Sequence, residues 1–322
     1  MHIVESRALF KSFQPRKKNV VYAVHDASLA VRKGETLGLV GESGCGKSTL
    51  GKMLLNLEQP TKGNVFFDGE DITHYSFSRM RPLRNRMQMV FQGSANAFNP
   101  YFTVKETVGE PLRNYSTGTE AQKAEIIVAM LERVGLDASY LTRYAHELSG
   151  GQRQRVGIAR ALIVQPEFVV CDEVVSSVDY ALKRHILALF ADLKQSLALT
   201  CLFISHDIAA VNAVSDRVAV MYLGNIVELV PRVNETALHP YTRTLLAAAL
   251  PQTPRNRKKN LMLFKEGEGL AIPDQGCIFQ KRCLFTEDVC KTERPVMRDM
   301  GGGRHTACHL CGAISTDVRM PC

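Results

Sequence analysis

Read for apolar periodicity, the first 75 residues alternate short apolar runs with turns: "NVVYAV", "SLAV", "TLGLVG" and "NVFF". Each has a strand's length and composition. "TLGLVG" runs into a glycine-rich loop, after which "KSTLGKMLLNL" takes helical spacing, giving strand, loop and helix in succession. "MQMVFQ", Met87 to Gln92, predicts another strand. From about Val104 to Arg143 the period turns helical, clearest in "AEIIVAMLERVGL".

Beyond "LSGGQ" the pattern predicts a helix to about Val164, then the continuous apolar run "FVVCDE", Phe168 to Glu173, as expected of a buried parallel strand. A helix from Ala181 to Leu197 follows, then the strands "TCLFIS" and "RVAVMY" with His206 in the turn between them. Strands alternating with helices predict an α/β fold with a largely parallel core sheet. The helical stretch near residues 93–150 is expected as a subdomain on it. The Pro-rich basic stretch "PQTPRNRKKN" then marks a boundary, so the expected division is a first domain over 1–250, a linker over 251–275 and an extension over 276–322.

The chain has 322 residues, 45% hydrophobic and 22% charged, enough for a sizeable core. No run approaches the roughly 18 apolar residues needed to cross a bilayer. The start, "MHIVESRALFKSF", has no apolar h-region, so the chain is expected in the cytosol. The net charge of +8 is compatible with nucleic acid, an anionic membrane surface or nucleotide phosphates as partners. The basic residues are scattered apart from Arg16 to Lys18 and Arg255 to Lys259, and neither cluster decides among the three.

The chemistry is concentrated in a few short stretches. "GESGCGKST", Gly41 to Thr49, matches glycine, four residues, glycine, lysine and serine. Such a loop lets the backbone N–H groups of Gly41, Glu42, Ser43, Gly44, Cys45 and Gly46 curl around phosphate oxygens. Lys47 then reaches the β- and γ-phosphates, and the Ser48 hydroxyl ligates Mg²⁺, with Thr49 entering the helix. Chance alone yields such a match in about one chain in a hundred of this length.

Asp172 closes an apolar strand where a carboxylate can hold Mg²⁺ or its water, and Glu173 beside it can act as a water-activating base. His206 and Gln92 end strands assigned to the same sheet, where ligands gather at the carboxyl ends. "LSGGQRQR" places Ser149, Gly150, Gly151 and Gln152 at a helix start, a second phosphate grip about a hundred residues after the first.

Together these stretches resemble the ATP-binding subunit of ABC transporters over residues 1 to about 250. "GESGCGKST" resembles the Walker A loop, "FVVCDE" the Walker B strand with its catalytic glutamate, and "LSGGQ" the signature of that family. Gln92 stands as the Q-loop glutamine, His206 as the H-loop histidine, and Phe13 where the family stacks an aromatic ring on adenine. The resemblance implies a P-loop NTPase core with a mixed sheet, a helical signature subdomain and a small C-terminal cysteine-containing extension. It also implies that each ATP lies between one subunit's Walker A loop and its partner's signature, so Ser149, Gly150 and Gly151 would hold the partner's γ-phosphate. The family usually carries "DEPTSALD" where this chain has "DEVVSSVD": Val174 and Val175 replace Pro and Thr, Ser177 and Val178 replace Ala and Leu, and the D-loop Asp179 is kept. Loss of the proline frees φ after the base and bears on D-loop geometry.

"HPYTRTLL" followed by "GCIFQKRC" is similar to the oligopeptide/dipeptide importer branch, and to the second of its two paired ATPase subunits. Cys277, Cys283, Cys290 and Cys308 are separated by five, six and seventeen residues, wider than structural zinc sites use. Clustered thiols in a reducing compartment favour a metal over disulfides, and a set of small buried thiols packing a mini-domain is the alternative. Members of the branch are thought to hold a [4Fe–4S] cluster there, which the resemblance carries to these four. Cys45, Cys171 and Cys201 read as structural, and Cys311 and Cys322 have no assigned role.

The expected protein is an ATPase at the cytoplasmic face of the inner membrane. It would pair with a homologous ATPase subunit, a homodimer being the other option, and would drive two permease subunits, with a solute-binding protein acting indirectly and no nucleic acid involved. The alternatives are a soluble ABC ATPase acting on nucleic acid or ribosomes, an importer of nickel or another small solute, and a redox-sensing role for the cysteines.

Overall fold

Two sheets share the N-terminal half of the chain. The computed structural model describes residues 1–14, 20–91, 98–176, 180–234, 236–249 and 272–311. In chain order come β1 (His2–Phe13), β2 (Val21–Arg32), β3 (Thr36–Val40), α1 (Lys47–Leu54), β4 (Lys62–Phe67), β5 (Glu70–Asp71), α2 (Phe77–Met80) and β6 (Met87–Val90). The helical stretch holds α3 (Val104–Tyr115), α4 (Glu120–Arg133) and α5 (Gly150–Leu162). Then follow β7 (Phe168–Asp172), α6 (Tyr180–Leu197), β8 (Thr200–Ser205), α7 (Ile208–Val214), β9 (Arg217–Tyr222), β10 (Asn225–Val230), α8 (Pro240–Ala249), α9 (Asp288–Thr292), β11 (Arg298–Asp299) and β12 (His305–Thr306).

β2, β1, β4 and β5 form an antiparallel sheet, and the second sheet runs β11-β12-β10-β9-β3-β8-β7-β6. Its β9, β3, β8, β7 and β6 are parallel, while β10, β12 and β11 extend it antiparallel. β3, β7 and β8 are buried along their whole length, which is why they read as unbroken apolar runs.

β1 and β2 depart from the sequence reading. "NVVYAV" and "SLAV" are one strand, bent at Asp26, whose φ of 54° lies in the left-handed region. β1 carries a similar irregularity at Ala8, with φ 46°, and its pairing with β2 shifts register there. Both bulges break the period-2 alternation that signals a strand.

The helical region is capped in the way its sequence dictates. Thr103, Thr119 and Ser149 cap α3, α4 and α5 through reciprocal boxes with Glu106, Gln122 and Gln152. Their apolar faces (Val108, Leu112, Ile127, Leu131 and Ile158) join one core with Val169, Cys171 and Phe203 of the parallel sheet. A fully buried side chain of this kind contributes about 1.5–3 kcal/mol.

Residues 272–311 pack on the same sheet. β12 pairs with β10, and Phe279 is buried against Tyr222 at the end of β9 with ring centroids 5.2 Å apart. Among the described residues no helix is long and apolar enough to cross a membrane.

Candidate nucleotide site

The register of the parallel sheet decides which residues meet. Val40 stands opposite Ser205, and Asp172 opposite Ile204, so the loops leaving β3, β7 and β8 emerge side by side. The Gly41–Thr49 loop, Asp172 with Glu173, and His206 therefore share one edge, the carboxyl ends of parallel strands where α/β sheets bind ligands.

The phosphate loop is held close to its neighbours. Gly46, with φ 103°, caps α1, and a Cβ there would stand 1.9 Å from the Ala23 carbonyl oxygen. A Cβ on Gly41 would stand 2.2 Å from the Met221 carbonyl oxygen. No other residue fits either position. Lys47 is buried, and its ammonium donates to the Gly41 and Glu42 carbonyls at 2.8 and 2.9 Å. Its charge thus sits within the curl of the loop. Burial pushes the Cys45 thiol up, which keeps it an inert packing group.

The Ser48 hydroxyl donates to Asp172 Oδ1 at 2.8 Å, bringing the two candidate Mg²⁺ ligands of the sequence analysis into direct contact. Burial raises the Asp172 carboxyl above its ordinary range, against the lowering effect of that hydrogen bond; the neighbouring Glu173 charge adds to the rise. A divalent cation between Asp172 and Ser48 would offset this.

Glu173 sits at φ 50°, a strained setting for a residue with a side chain. Three bonds hold its backbone: its N–H donates to the Ile204 carbonyl at 3.0 Å, and its carbonyl accepts from the Ser176 hydroxyl at 2.8 Å and the Ser176 N–H at 3.3 Å. Val174 and Val175, the departures from the family's Pro and Thr, are 2% and 3% exposed and pack into the core, anchoring the turn by apolar burial. The carboxylate faces His206, whose Nδ1 lies 2.9 and 3.2 Å from its two oxygens.

The second grip lies on a different element. Ser149 accepts from the Gln152 N–H at 3.3 Å, and Gln152 accepts from the Ser149 N–H at 2.8 Å. Gly150 has open space where a Cβ would stand, whereas a Cβ on Gly151 would meet Leu182 at 2.3 Å. The first glycine keeps the helix mouth open, and the second lets α6 approach α5. Among the described residues no hydrogen bond joins Ser149 to the Lys47 group. Phe13, at the end of β1, is 42% exposed, with the Lys11 ammonium 5.0 Å from its ring centre. Gln92 and Asp179 lie outside the described residues.

Two residues that sequence reasoning left without a role touch the loop. The Glu42 N–H donates to the Tyr241 hydroxyl at 2.9 Å, and Arg282 donates to both Glu42 carboxylate oxygens at 3.0 Å. They belong to "HPYTRTLL" and "GCIFQKRC", the stretches that carried the importer-branch resemblance.

Cys277, Cys283, Cys290 and Cys308 are all buried and line one cavity of about 10 Å³ together with Phe279 and His239. That is room for about one water molecule. Burial pushes the Cys277 thiol up to about 12, while a hydrogen bond from Cys311 pulls Cys308 down to about 7. The donor types suit a thiolate-held cluster. The spacing does not follow: among the described residues no group of three His, Cys, Asp or Glu side chains is arranged to hold a metal ion.

A groove of about 490 Å³ opens elsewhere, between β6 and the helical region, lined by Phe77, Arg84, Phe91, Tyr115 and Arg160 among others.

Residues 24–176 match the ABC transporter family, and residues 227–290 match the oligopeptide/dipeptide transporter C-terminal region. The chain is 43% identical to a probable peptide ABC transporter ATP-binding protein of Sinorhizobium fredii, over 90% of this chain and 83% of that one. It is 41% identical to the oligopeptide transport ATP-binding protein AppF of Bacillus subtilis, over 92% and 91% of the two chains. Among solved structures it is similar to the ATP-binding cassette MJ0796 in a dimeric post-hydrolysis state bound to ADP and Pi. That likeness has a TM-score of 0.65 at 26% identity, covering 69% of this chain and 96% of that one.

Proposed function

The chain belongs to the ATP-binding subunits of ABC transporters, and from that premise we propose that it hydrolyses ATP to energise uptake of oligopeptides or dipeptides through a membrane permease. The observation that carries the reading is the meeting of Lys47, Ser48, Asp172, Glu173 and His206 at one edge of the parallel sheet. Peptide as cargo is supported by the match over residues 227–290 and by the names of the relatives.

In this reading the loop backbone and Lys47 bind the β- and γ-phosphates, and Phe13 stacks on adenine. Ser48, Asp172 and Gln92 hold Mg²⁺ and its water. The ion supplies charge neutralisation on the transferring phosphoryl group. Glu173 accepts the proton of the attacking water, and His206, oriented by Glu173, contacts the γ-phosphate. Ser149, Gly150, Gly151 and Gln152 close the site of the partner subunit, with Asp179 at the same junction. A signature helix start with open space at Gly150 is suited to a ligand arriving from another chain.

The partner is proposed to be a homologous ATPase subunit. The groove lined by Phe91, the residue before Gln92 in sequence, receives a helix of one of two permease subunits at the cytoplasmic face of the membrane. A solute-binding protein delivers cargo from the other side.

For the four thiols the resemblance alone carries a [4Fe–4S] cluster held by Cys277, Cys283, Cys290 and Cys308; they line one cavity, but at about 10 Å³ it does not fit the group as it stands. No step of ATP hydrolysis runs through it. About four irons and four sulfides per chain after anaerobic purification are expected; an iron-free, fully active protein would remove the cluster.

The transport reading is tested by assembling the chain with its partner ATPase and permease in vesicles and following labelled peptide. ATP-dependent accumulation that Glu173→Gln abolishes is expected. Accumulation of nickel or another solute in place of peptide overturns the cargo, and a chain that never associates with a permease overturns the transport role.

A further inference from the structure

Glu42 is an odd residue for a phosphate loop. It puts a carboxylate one residue after Gly41, in the segment that receives a highly charged triphosphate. Like charges a few ångströms apart in a partly dehydrated site repel strongly. The structure meets this with Arg282, whose two terminal nitrogens each donate to one carboxylate oxygen at 3.0 Å. The guanidinium side chain is 12% exposed and the carboxylate side chain 35%, so the pair is only partly screened by water.

Arg282 is itself held in place. Its guanidinium carbon lies 5.6 Å from the Tyr222 ring centre and 5.9 Å from that of Phe279. Phe279 packs on Tyr241 with centroids 5.6 Å apart, and the Tyr241 hydroxyl accepts the Glu42 N–H. The Glu42 carbonyl accepts from Lys47. Each polar group of Glu42 thus has a partner, and the partners of its N–H and its carboxylate come from residues beyond β10. A second contact joins the same segment to β2: Arg294 lies 3.2 Å from His25 Nδ1.

We propose that Arg282 is a positioning residue for ATP, masking the Glu42 carboxylate from the incoming triphosphate, so that the C-terminal cysteine-bearing segment forms part of the nucleotide site. The inference rests on the reading of Gly41–Thr49 as the ATP loop and adds to it a residue 240 positions away in sequence. Phe279 and Cys283 flank Arg282 closely in sequence and line the thiol cavity, so a change at the thiols has a short route to the loop.

The test is a double-mutant cycle on the full chain, reading the Kd for Mg-ATP by calorimetry and the thermal midpoint. Arg282→Gln leaves a bare carboxylate on the loop, and Kd should rise about tenfold, the scale of one lost charge-assisted pair. Glu42→Gln alone leaves a cation without an anion, and ATP should bind at least as tightly as to the native chain. The double variant should return to within about threefold of native. Loss of the Arg282→Gln penalty near 1 M salt is expected as well, because the repulsion is Coulombic.

A native Kd for Arg282→Gln overturns the inference. So does a double variant no better than Arg282→Gln, which would mean that Arg282 serves only the folding of its own segment. Lys47→Ala separates the two layers: if it binds ATP as the native chain does, the reading of the loop fails, whatever Arg282 does.

Discussion

His206 Nδ1 lies 2.9 Å from one Glu173 oxygen and 3.2 Å from the other. A carboxylate only accepts, so Nδ1 carries the hydrogen, and the imidazole is fixed with Nε2 turned away from Glu173. Glu173 has 10% of its side chain exposed and His206 55%, so the acid is set deep and the histidine faces the solvent where nucleotide arrives. This arrangement suits the different tasks proposed for the pair, the base for Glu173 and the phosphate contact for His206.

Glu173→Gln tests the base. Glutamine keeps an acceptor for His206, so orientation survives and proton abstraction does not. Turnover should fall about 10²- to 10⁴-fold, the range for loss of a general base. ATP should still bind, and a closed dimer should accumulate on gel filtration with ATP. Native turnover would remove Glu173 from that role.

Ser149 caps α5, and the contact proposed for it with the partner's γ-phosphate can be separated from the cap by substitution. Ser149→Ala removes the cap of α5 and should cost about 1 kcal/mol of stability. Ser149→Asp keeps a capping oxygen and places negative charge at a helix N-terminus, so the melting temperature should hold or rise. The same charge would face the partner's γ-phosphate. A like-charge contact near 4 Å is worth about 4 kcal/mol at an effective dielectric of 20, so ATPase activity should drop about 10²-fold or more. A stable Ser149→Asp protein with native turnover would show that the signature does not meet a phosphate.

Val175 stands where the family usually has Thr, and here it is 3% exposed within the main core. Val175→Thr changes the shape little and adds a hydroxyl to an apolar setting. The expected loss is about 1–3 kcal/mol, read from the urea midpoint. A neutral result would mean that the turn after Glu173 offers the hydroxyl a backbone partner, and that the native valine contributes no anchoring there.

Much of the site was legible because it is written in residue types at fixed spacing. The Gly41–Thr49 loop, the Asp172–Glu173 pair after an apolar run and the Ser149 cap are local signals, and each appears on the element expected of it. β1 was not legible, since the bulge at Ala8 scrambles its alternation, and Asp26 split β2 into two apparent strands. The Arg282–Glu42 pair could not be read either. Its partners are 240 residues apart, and nothing local to "QKRC" points to a phosphate loop. Gln92 and Asp179 fall outside the described residues, so the part of Gln92 rests on its place after an apolar run and on the resemblance, and that of Asp179 on the resemblance alone.

Glu228 gives the pH dependence of the seam between the sheet and the C-terminal segment. It is fully buried on β10, accepts the Leu238 N–H at 2.7 Å and the Thr306 hydroxyl of β12 at 3.3 Å, and burial raises its carboxyl above the ordinary value of 4.5. A carboxyl raised in the folded state holds its proton to higher pH than the unfolded chain does. Its contribution to stability is therefore fully present below about pH 4.5 and is lost as pH rises through the folded value, with the loss complete above it. Glu228→Gln keeps an oxygen for Leu238 and cannot ionise. The variant should melt higher than the native protein at pH 8, with the advantage shrinking steadily toward pH 5. Melting curves across that range decide it. An advantage that does not change with pH would mean that Glu228 is ionised in the folded and unfolded chain alike over that range, and that burial does not raise its carboxyl.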